Sequence, residues 1–221
     1  MRNLFLLSLI LSLLISCEKE AEPALIDDDS PISRTGYLPL EIGNYWIYQH
    51  VNIDASNNES PGNYIDSMVV ERDTFINGNQ YFVIEGSNYP FNGGQWAIID
   101  ILRDSLGYIV SHEGNIRFAI DNFSDTLARK TEAINGDTLY ILSYQMDQLG
   151  HSFSVPAGTF EVLNFKGTAF SYKDLSGIDN PRYLNNLYAK GVGKVLQTYF
   201  FFNSPVISEK RLIRYHIKNK Q

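Results

Sequence analysis

Cysteine is nearly absent from this chain, since Cys17 is the single cysteine among 221 residues. A lone thiol cannot form an intramolecular disulfide, and it excludes zinc sites built from several cysteines. The histidines are far apart and form no His-Glu-x-x-His pair; they are His50, His112, His151 and His216. We therefore predict no metal site and no cofactor, and we expect a packed core to stabilise the fold.

Clustered positive charge is also scarce, because 25 acidic residues outnumber 18 basic ones and the formal net charge is −7. Nucleic acids are bound by clustered lysine and arginine, so nucleic acid is excluded as the main partner. The densest basic group lies near the C-terminus and alternates with apolar residues: Lys210, Arg211, Arg214, Lys218 and Lys220. The alternation predicts that these side chains form the solvent-facing side of a last β-strand.

Long apolar runs are missing except at residues 4–15, which follow Arg2. About a dozen apolar residues suit a secretory signal peptide, whereas about 20 are needed to span a bilayer. The run ends in LISC at 14–17, which resembles the lipobox of bacterial lipoproteins. The resemblance implies that residues 1–16 are a cleaved signal peptide and that the Cys17 thiol carries a diacylglycerol anchor to a membrane. The alternatives are an ordinary cleavable signal and a short buried helix with an unmodified thiol.

Residues 17–36 are polar and acidic, with EKEAE directly after the cysteine and three aspartates at 27–29. Like charges repel, so this stretch is predicted to be a flexible, lipidated tether. An acidic stretch at this place resembles the surface-export signal of lipoproteins in one large Gram-negative lineage. The resemblance implies an outer-membrane lipoprotein of a Gram-negative bacterium. Exposure at the cell surface and a periplasmic orientation are both left open.

Residues 37–221 are predicted to form a single all-β domain of about ten mostly antiparallel strands. Turn residues interrupt short runs rich in tyrosine, phenylalanine and β-branched residues, as is typical of strands. Short connections favour antiparallel neighbours. The predicted strands are 45–53, 64–75, 80–85, 96–103, 108–112, 116–121, 138–145, 159–172, 193–202 and 211–217.

Several of these runs are apolar on both faces, as in 45–51 and 195–202. A strongly curved sheet, half-barrel or barrel-like, buries much of both faces and so accounts for this pattern. Residues 123–133 and 173–187 lack the alternation. A short helix is one interpretation of the first segment, and the second is predicted to be a long surface loop.

Three stretches are distinctive together: LPLEIGNYWIYQ at 38–49, VPAGTFEVLNFKG at 155–167 and YAKGVGKVLQ at 188–197. They resemble a group of secreted bacterial lipoproteins of unknown function, which is loosely similar to DUF3108-like and lipoprotein-carrier-like half-barrel families. The resemblance implies a curved β-sheet and brings no catalytic residues. In these motifs Gly191 and Gly193 are expected to permit a bulge or a close backbone approach.

Motifs for catalysis are missing from the sequence. There is no Gly-x-Ser-x-Gly nucleophile elbow, and the segment KGVGK lacks the remaining glycine and the Ser/Thr of a phosphate-binding loop. Asp100 and Asp104 could form a carboxylate pair, although Asp104 is also well placed to begin the turn before Gly107. We therefore predict no catalytic residues, and an enzyme stays the less favoured alternative.

Four Asp-Ser/Thr-aliphatic triplets resemble O-glycosylation sites of envelope proteins in the same lineage. The candidate acceptors are Ser67, Ser105, Thr126 and Thr138. The alternative is structural, because an aspartate in a turn followed by threonine and an aliphatic residue also begins a strand.

Two binding hypotheses remain. The favoured one is a non-enzymatic β-domain that binds a protein or glycan partner through tyrosines in or beside loops, namely Tyr37, Tyr89, Tyr172, Tyr183 and Tyr188. The other is a carrier that holds an acyl chain or another hydrophobic ligand inside the half-barrel. A filled interior would count against the carrier.

Overall fold

The structure is a computed structural model that describes residues 35–134, 136–173 and 177–218. This part of the chain contains thirteen β-strands and no helix. No segment that could cross a membrane as a helix occurs among these residues. Cys17, the predicted signal peptide at 1–16 and all but the last two residues of the predicted tether at 17–36 lie outside the described residues.

The strands follow one another along the chain with short connections. They are β1 (Tyr45–Ile53), β2 (Glu59–Ile76), β3 (Asn79–Gly86), β4 (Ala97–Ser105), β5 (Tyr108–Ser111), β6 (Ile116–Ala119), β7 (Ala128–Ile134), β8 (Asp137–Val155), β9 (Gly158–Ser171), β10 (Arg182–Leu184), β11 (Asn186–Ala189), β12 (Gly193–Phe200) and β13 (Ile207–His216).

All of these strands belong to one antiparallel sheet with the order β6-β5-β4-β3-β2-β1-β13-β12-β11-β9-β8-β7, and β10 pairs with β9. The last strand, β13, lies in the middle of the sheet beside β1. The sheet curls until its two ends approach, and the Ala119 N–H of β6 donates to the Met146 sulfur of β8 at 3.4 Å. The predicted all-β, strongly curved, barrel-like fold is therefore confirmed.

The core lies inside this curved sheet and is built from alternate residues of its strands. On β1, Trp46, Tyr48 and His50 are buried, whereas the residues between them are partly exposed. Trp46 packs in one cluster with Phe118 of β6 and Leu212 of β13, and all three are fully buried. Aromatic side chains contribute the largest apolar areas to such a core, so both aromatic rings and aliphatic groups fill the interior.

Two segments differ from the sequence-based expectation. Residues 123–133, for which a short helix was one interpretation, contain most of strand β7, whose Arg129, Lys130 and Thr131 are exposed. β7 is an edge strand, and charged edge strands need no apolar alternation, so the period-two signal was missing. The segment 173–187, predicted as a surface loop, contains β10 and the start of β11, and its Leu187 is buried.

Candidate functional site

The motif residues of the first and third distinctive stretches contact each other across the sheet. The indole Nε1 of Trp46 donates to the main-chain carbonyl of Val192 at 2.6 Å, and the Tyr48 hydroxyl donates to that of Lys194 at 2.9 Å. Gly193 has a φ of +109°, and a Cβ there would lie 2.8 Å from the Trp46 Nε1. The glycine is therefore required by a close backbone approach, as expected, and these motifs are structural.

The second distinctive stretch forms the tight turn between β8 and β9, and this turn packs on the last strand. The Ala157 N–H donates to the Leu212 carbonyl at 3.0 Å, and the rings of Phe160 and Tyr215 meet edge to face at 6.3 Å. Gly158 has a φ of +143°, which suits glycine. This turn therefore extends the hydrogen bonding of β13 beyond the end of its pairing with β12.

A group of polar side chains, here called the ionic cluster, lies at one end of the barrel and consists of the buried His50, Asp66, Tyr199 and Lys210 and the partly buried Asn88. Asp66 Oδ2 accepts a hydrogen bond from Lys210 Nζ at 2.6 Å and lies 2.8 Å from His50 Nε2. His50 Nδ1 lies 2.8 Å from the Tyr199 hydroxyl, and Lys210 Nζ also donates to Asn88 Oδ1 at 2.5 Å. A carboxylate accepts without donating, so His50 Nε2 carries the hydrogen that points at Asp66.

Burial and hydrogen bonding shift the pKa values of the charged groups in the ionic cluster in opposite directions. Burial alone would raise the pKa of the Asp66 carboxyl, but hydrogen bonds from His50, Lys210 and the Tyr89 N–H lower that pKa below its ordinary value. Burial lowers the pKa of Lys210, and its bond to Asp66 opposes that shift. Burial also raises the pKa of Tyr199. At neutral pH, Asp66 is therefore ionised and Tyr199 is not.

Aromatic rings cover the ionic cluster on the solvent side. Tyr64 and Tyr89 stack with their ring centroids 3.5 Å apart, and both lie about 6 Å from the His50 ring. Phe91 lies over Lys210 and Tyr199 at 5.9 and 6.0 Å. His50, Asp66 and Lys210 are each no more than 4% exposed. The polar atoms of the cluster bond to one another beneath this cover, so the arrangement stabilises the barrel end and presents no reactive group to solvent.

The prediction that Lys210 belongs to a solvent-facing side was wrong. Lys210 shares a strand face with Leu212, which lies two residues later and is fully buried. The period of two therefore indicated correctly that Lys210 faces the core with Leu212. The prediction failed because a charged side chain was expected to face solvent. The ionic cluster itself joins side chains from four strands, β1, β2, β12 and β13, and from the loop after β3, and no local motif in the sequence predicts it.

An open cleft of about 570 Å³ lies on the opposite side of the sheet from the core, across β8, β9 and β10. Ser143 of β8 pairs with Thr168 of β9, which pairs with Tyr183 of β10, and Gln145 pairs with Lys166 in the next row. The lining comes from residues 143–148 of β8, Lys166 and Thr168 of β9, Tyr183 of β10, and Phe123 and Thr126 of the segment before β7. Most of this lining is polar.

The side chains of the cleft hold one another in place. Lys166 Nζ lies 3.2 Å from Asp147 Oδ2 and 5.0 Å from the centre of the Tyr183 ring. The Gln145 amide donates to the Phe123 carbonyl at 2.6 Å, which joins the segment before β7 to β8. Tyr183 is 49% exposed, so one large aromatic surface is accessible to a ligand. The cleft therefore combines an aromatic surface, amides, hydroxyls and a neutralised ion pair.

The predicted acceptors of O-glycosylation occupy different surroundings. Ser67 lies within β2, where its N–H donates to the Ser87 hydroxyl, and Ser105 ends β4. Thr138 is the second residue of β8 and is partly buried, whereas Thr126 is exposed and lines the cleft. Glycosylation of these residues stays a prediction.

For the loop tyrosines that are exposed, a role in partner recognition stays a prediction. Tyr172 and Tyr183 are exposed, but Tyr188 is 3% exposed and packs against Phe118 in the core, so its predicted role in recognition was wrong. Asp100 and Asp104, the candidate carboxylate pair, have separate partners. Asp100 accepts from Arg117 at 3.0 Å, and Asp104 accepts from Thr35.

No protein-family model and no curated protein matches this chain. Two solved structures align with most of it. A candidate lipoprotein from Parabacteroides distasonis is 15% identical with a TM-score of 0.48, and 83% of this chain and 99% of that chain are covered. A candidate exported protein from Bacteroides fragilis with a YmcC-like fold is 12% identical with a TM-score of 0.47, and the covered shares are 81% and 98%. Likenesses this distant say nothing about what this chain binds.

Proposed function

We propose that this protein is a lipid-anchored envelope protein whose β-domain binds a partner without converting it, and that the partner occupies the cleft over β8, β9 and β10. One observation carries the proposal: the cleft is open and polar, while the ionisable side chains His50, Asp66 and Lys210 are buried inside the barrel. Concave sites of about 300–1,000 Å³ are typical of ligand binding, and the cleft falls in that range.

The non-enzymatic part of the proposal is supported by the burial and hydrogen bonding of the side chains that could act as acid or base. General acid–base catalysis needs a side chain within hydrogen-bonding reach of the substrate. The polar atoms of His50, Asp66 and Lys210 are hydrogen-bonded within the ionic cluster. The cluster lies beneath the rings of Tyr64, Tyr89 and Phe91. Among the residues that the structure describes, no three His, Cys, Asp or Glu side chains come close enough to hold a metal ion.

The carrier hypothesis has less support, because the inside of the barrel is occupied by side chains. Trp46, Phe118 and Leu212 are fully buried and pack in one cluster. Beside the connection between β12 and β13, the Arg182 guanidinium donates to the carbonyls of Ser204 and Val206 and stacks 3.8 Å from the Phe200 ring. A hydrophobic ligand would have to displace these contacts before it could enter.

Membrane attachment is proposed on the sequence around Cys17 and has a direct test. Cells that produce the full chain are labelled with palmitate and fractionated. We expect label and membrane retention in the wild type, loss of both in Cys17→Ala, and no loss in the matched control Ser16→Ala, because alanine keeps a small residue before the cysteine. Label that survives Cys17→Ala would refute the lipid anchor.

Binding in the cleft is tested by a photoreactive amino acid placed at Gln148, which is exposed at the cleft, and in a control at His112, which is exposed in the turn after β5. Illumination of living cells should give an adduct at position 148 and none at position 112. The absence of any adduct at position 148, or equal adducts at both positions, would refute the cleft as the binding site. An acyl lipid adduct at position 148 would instead make the cleft a lipid site and reject a protein or glycan partner there.

A further inference from the structure

We propose that the ligand of this cleft is a saccharide, an inference that rests on the proposed function and names its ligand class. A sugar ring has two chemical aspects. Its hydroxyl groups each donate and accept hydrogen bonds, and its C–H faces are apolar. A site for it therefore needs polar side chains that can act in both directions and an aromatic surface on which a ring face can lie.

The aromatic surface is Tyr183, which is 49% exposed beside the cleft. Its ring is oriented by Lys166, whose Nζ lies 5.0 Å from the ring centre, and its main chain is paired with Thr168 of β9. A ring that contacts Lys166 and stands on a paired strand loses less side-chain entropy on binding than a tyrosine on an unpaired loop, so stacking against it is more favourable.

The polar groups of the cleft match the two-way hydrogen bonding of sugar hydroxyls. Gln145 and Gln148 each carry one amide that donates and accepts, and Ser143 and Thr168 carry hydroxyls that do the same. Ser143 and Thr168 are directly paired across β8 and β9, so their hydroxyl-bearing side chains stand on one face of the sheet. The same face carries Tyr183, which places the polar and the aromatic contacts on one side of a bound ring.

The charges of the cleft disfavour other ligand classes. Lys166 is neutralised by Asp147 at 3.2 Å, so the pair attracts neither a polyanion nor a polycation. Nucleic acids and phosphorylated ligands are drawn by unpaired positive charge, which this pair does not supply. An acyl chain would bury the hydroxyls and amides of the lining without replacing their bonds to water, which costs free energy.

The test uses the full chain extracted in a detergent without a sugar headgroup, since such a headgroup would compete for the site. The probes are a printed array of short neutral, N-acetylated and uronic-acid oligosaccharides, together with oligosaccharides released from the envelope of the producing bacterium. The strongest probe is then titrated calorimetrically into the wild type, into Tyr183→Ala, and into the control Tyr172→Ala. Tyr172 is a neighbouring exposed tyrosine that does not line the cleft.

We expect array signals for the wild type, about tenfold weaker binding for Tyr183→Ala, and unchanged binding for Tyr172→Ala. Gln148→Ala should weaken binding as well, and the affinity should differ little between low and high salt because the Lys166–Asp147 pair is neutral. Circular dichroism confirms that each variant is folded before its affinity is compared.

A blank array, or equal affinities for the wild type and Tyr183→Ala, would overturn the saccharide assignment. The photoreactive residue at position 148 distinguishes this failure from failure of the proposed function. A blank array with a protein adduct at position 148 would leave the cleft as a binding site for protein and reject the saccharide. A blank array with no adduct would reject both.

Discussion

The Trp46 indole lies against the Gly193 backbone, and its Nε1 donates to the carbonyl of the preceding residue, Val192, at 2.6 Å. Trp46 and Val192 are 146 positions apart in sequence. The contact joins the first strand of the barrel to the start of β12 without direct pairing between those strands. The contact explains why the tryptophan of one distinctive stretch needs the glycine of another: a side chain at position 193 would collide with the Trp46 indole.

Replacing Gly193 with alanine should destabilise the protein strongly. The new Cβ would lie 2.8 Å from the Trp46 Nε1, and alanine tolerates a φ of +109° poorly. Backbone strain and overpacking together should cost about 2–5 kcal/mol in the free energy of unfolding, measured by urea denaturation. Gly191→Ala is the matched control, because Gly191 has a φ of +73° and a Cβ added there would meet no atom within 4 Å, so its loss should be about 1–2 kcal/mol. Equal losses in the two variants would show that the Trp46 contact is unimportant.

Breaking the buried ion pair should also destabilise the barrel. Lys210→Met leaves the Asp66 carboxylate buried without its cation, which typically costs about 3–5 kcal/mol. The double variant Asp66→Asn, Lys210→Met removes both charges, so its loss should be smaller than the sum of the two single losses. Lys130→Met is the control, since Lys130 is exposed and its ion pair with Glu132 lies at the surface, and its loss should stay below about 1 kcal/mol. An additive double variant would argue against coupling of Asp66 and Lys210.

Stability should fall in acid because of Asp66. The pKa of its carboxyl is lower in the folded protein than in the unfolded chain, where it is about 3.9, so the folded state binds the proton less readily. The contribution of Asp66 is therefore complete above about pH 4 and is lost as the pH falls below that value towards the folded-state pKa. Urea denaturation across this range should show the loss in the wild type and a flatter profile in Asp66→Asn.

Asp54→Asn is the control for this pH profile. Asp54 lies in an exposed turn, and the hydrogen bonds from Asn58 lower the pKa of its carboxyl too. Solvent screens such an exposed group, so Asp54→Asn should keep most of the wild-type loss in acid. A wild-type profile in Asp66→Asn would contradict the assignment of the acid sensitivity to the ionic cluster.

Among the four predicted glycosylation sites, Thr126 should carry most of the modification. It is exposed and lies outside the strands, whereas Ser67 is held within β2 by pairing to Ile47 and by its bond to Ser87. An enzyme that acts on the folded protein needs an accessible acceptor. Peptide mass spectrometry of protein from its own bacterium should find glycan on the peptide with Thr126 and lose it in Thr126→Val. Equal occupancy of Ser67 and Thr126, or none at either, would refute the prediction.

Local sequence patterns predicted much of the fold correctly. The predicted bounds of the first strand, 45–53, agree with β1, and the Asn77-Gly78 turn has positive φ at both residues, as its hairpin chemistry requires. The third strand and the last strand were also placed to within a few residues. These features depend on neighbours in the chain, so a period of two and a turn dipeptide are sufficient to identify them.

The sequence alone determined that the chain is all-β, antiparallel and strongly curved, because apolar residues on both faces of a strand require a sheet that buries both. Only the tertiary structure decided where Lys210 lies, that β7 forms an edge, and which residues line the cleft. The physical reason is the separation along the sequence of the residues that interact. A strand is specified by residues two apart, but the burial of a charge is decided by partners such as Asp66, 144 positions away. The cleft likewise depends on β8, β9 and β10 meeting side by side, and no short stretch of sequence contains that arrangement.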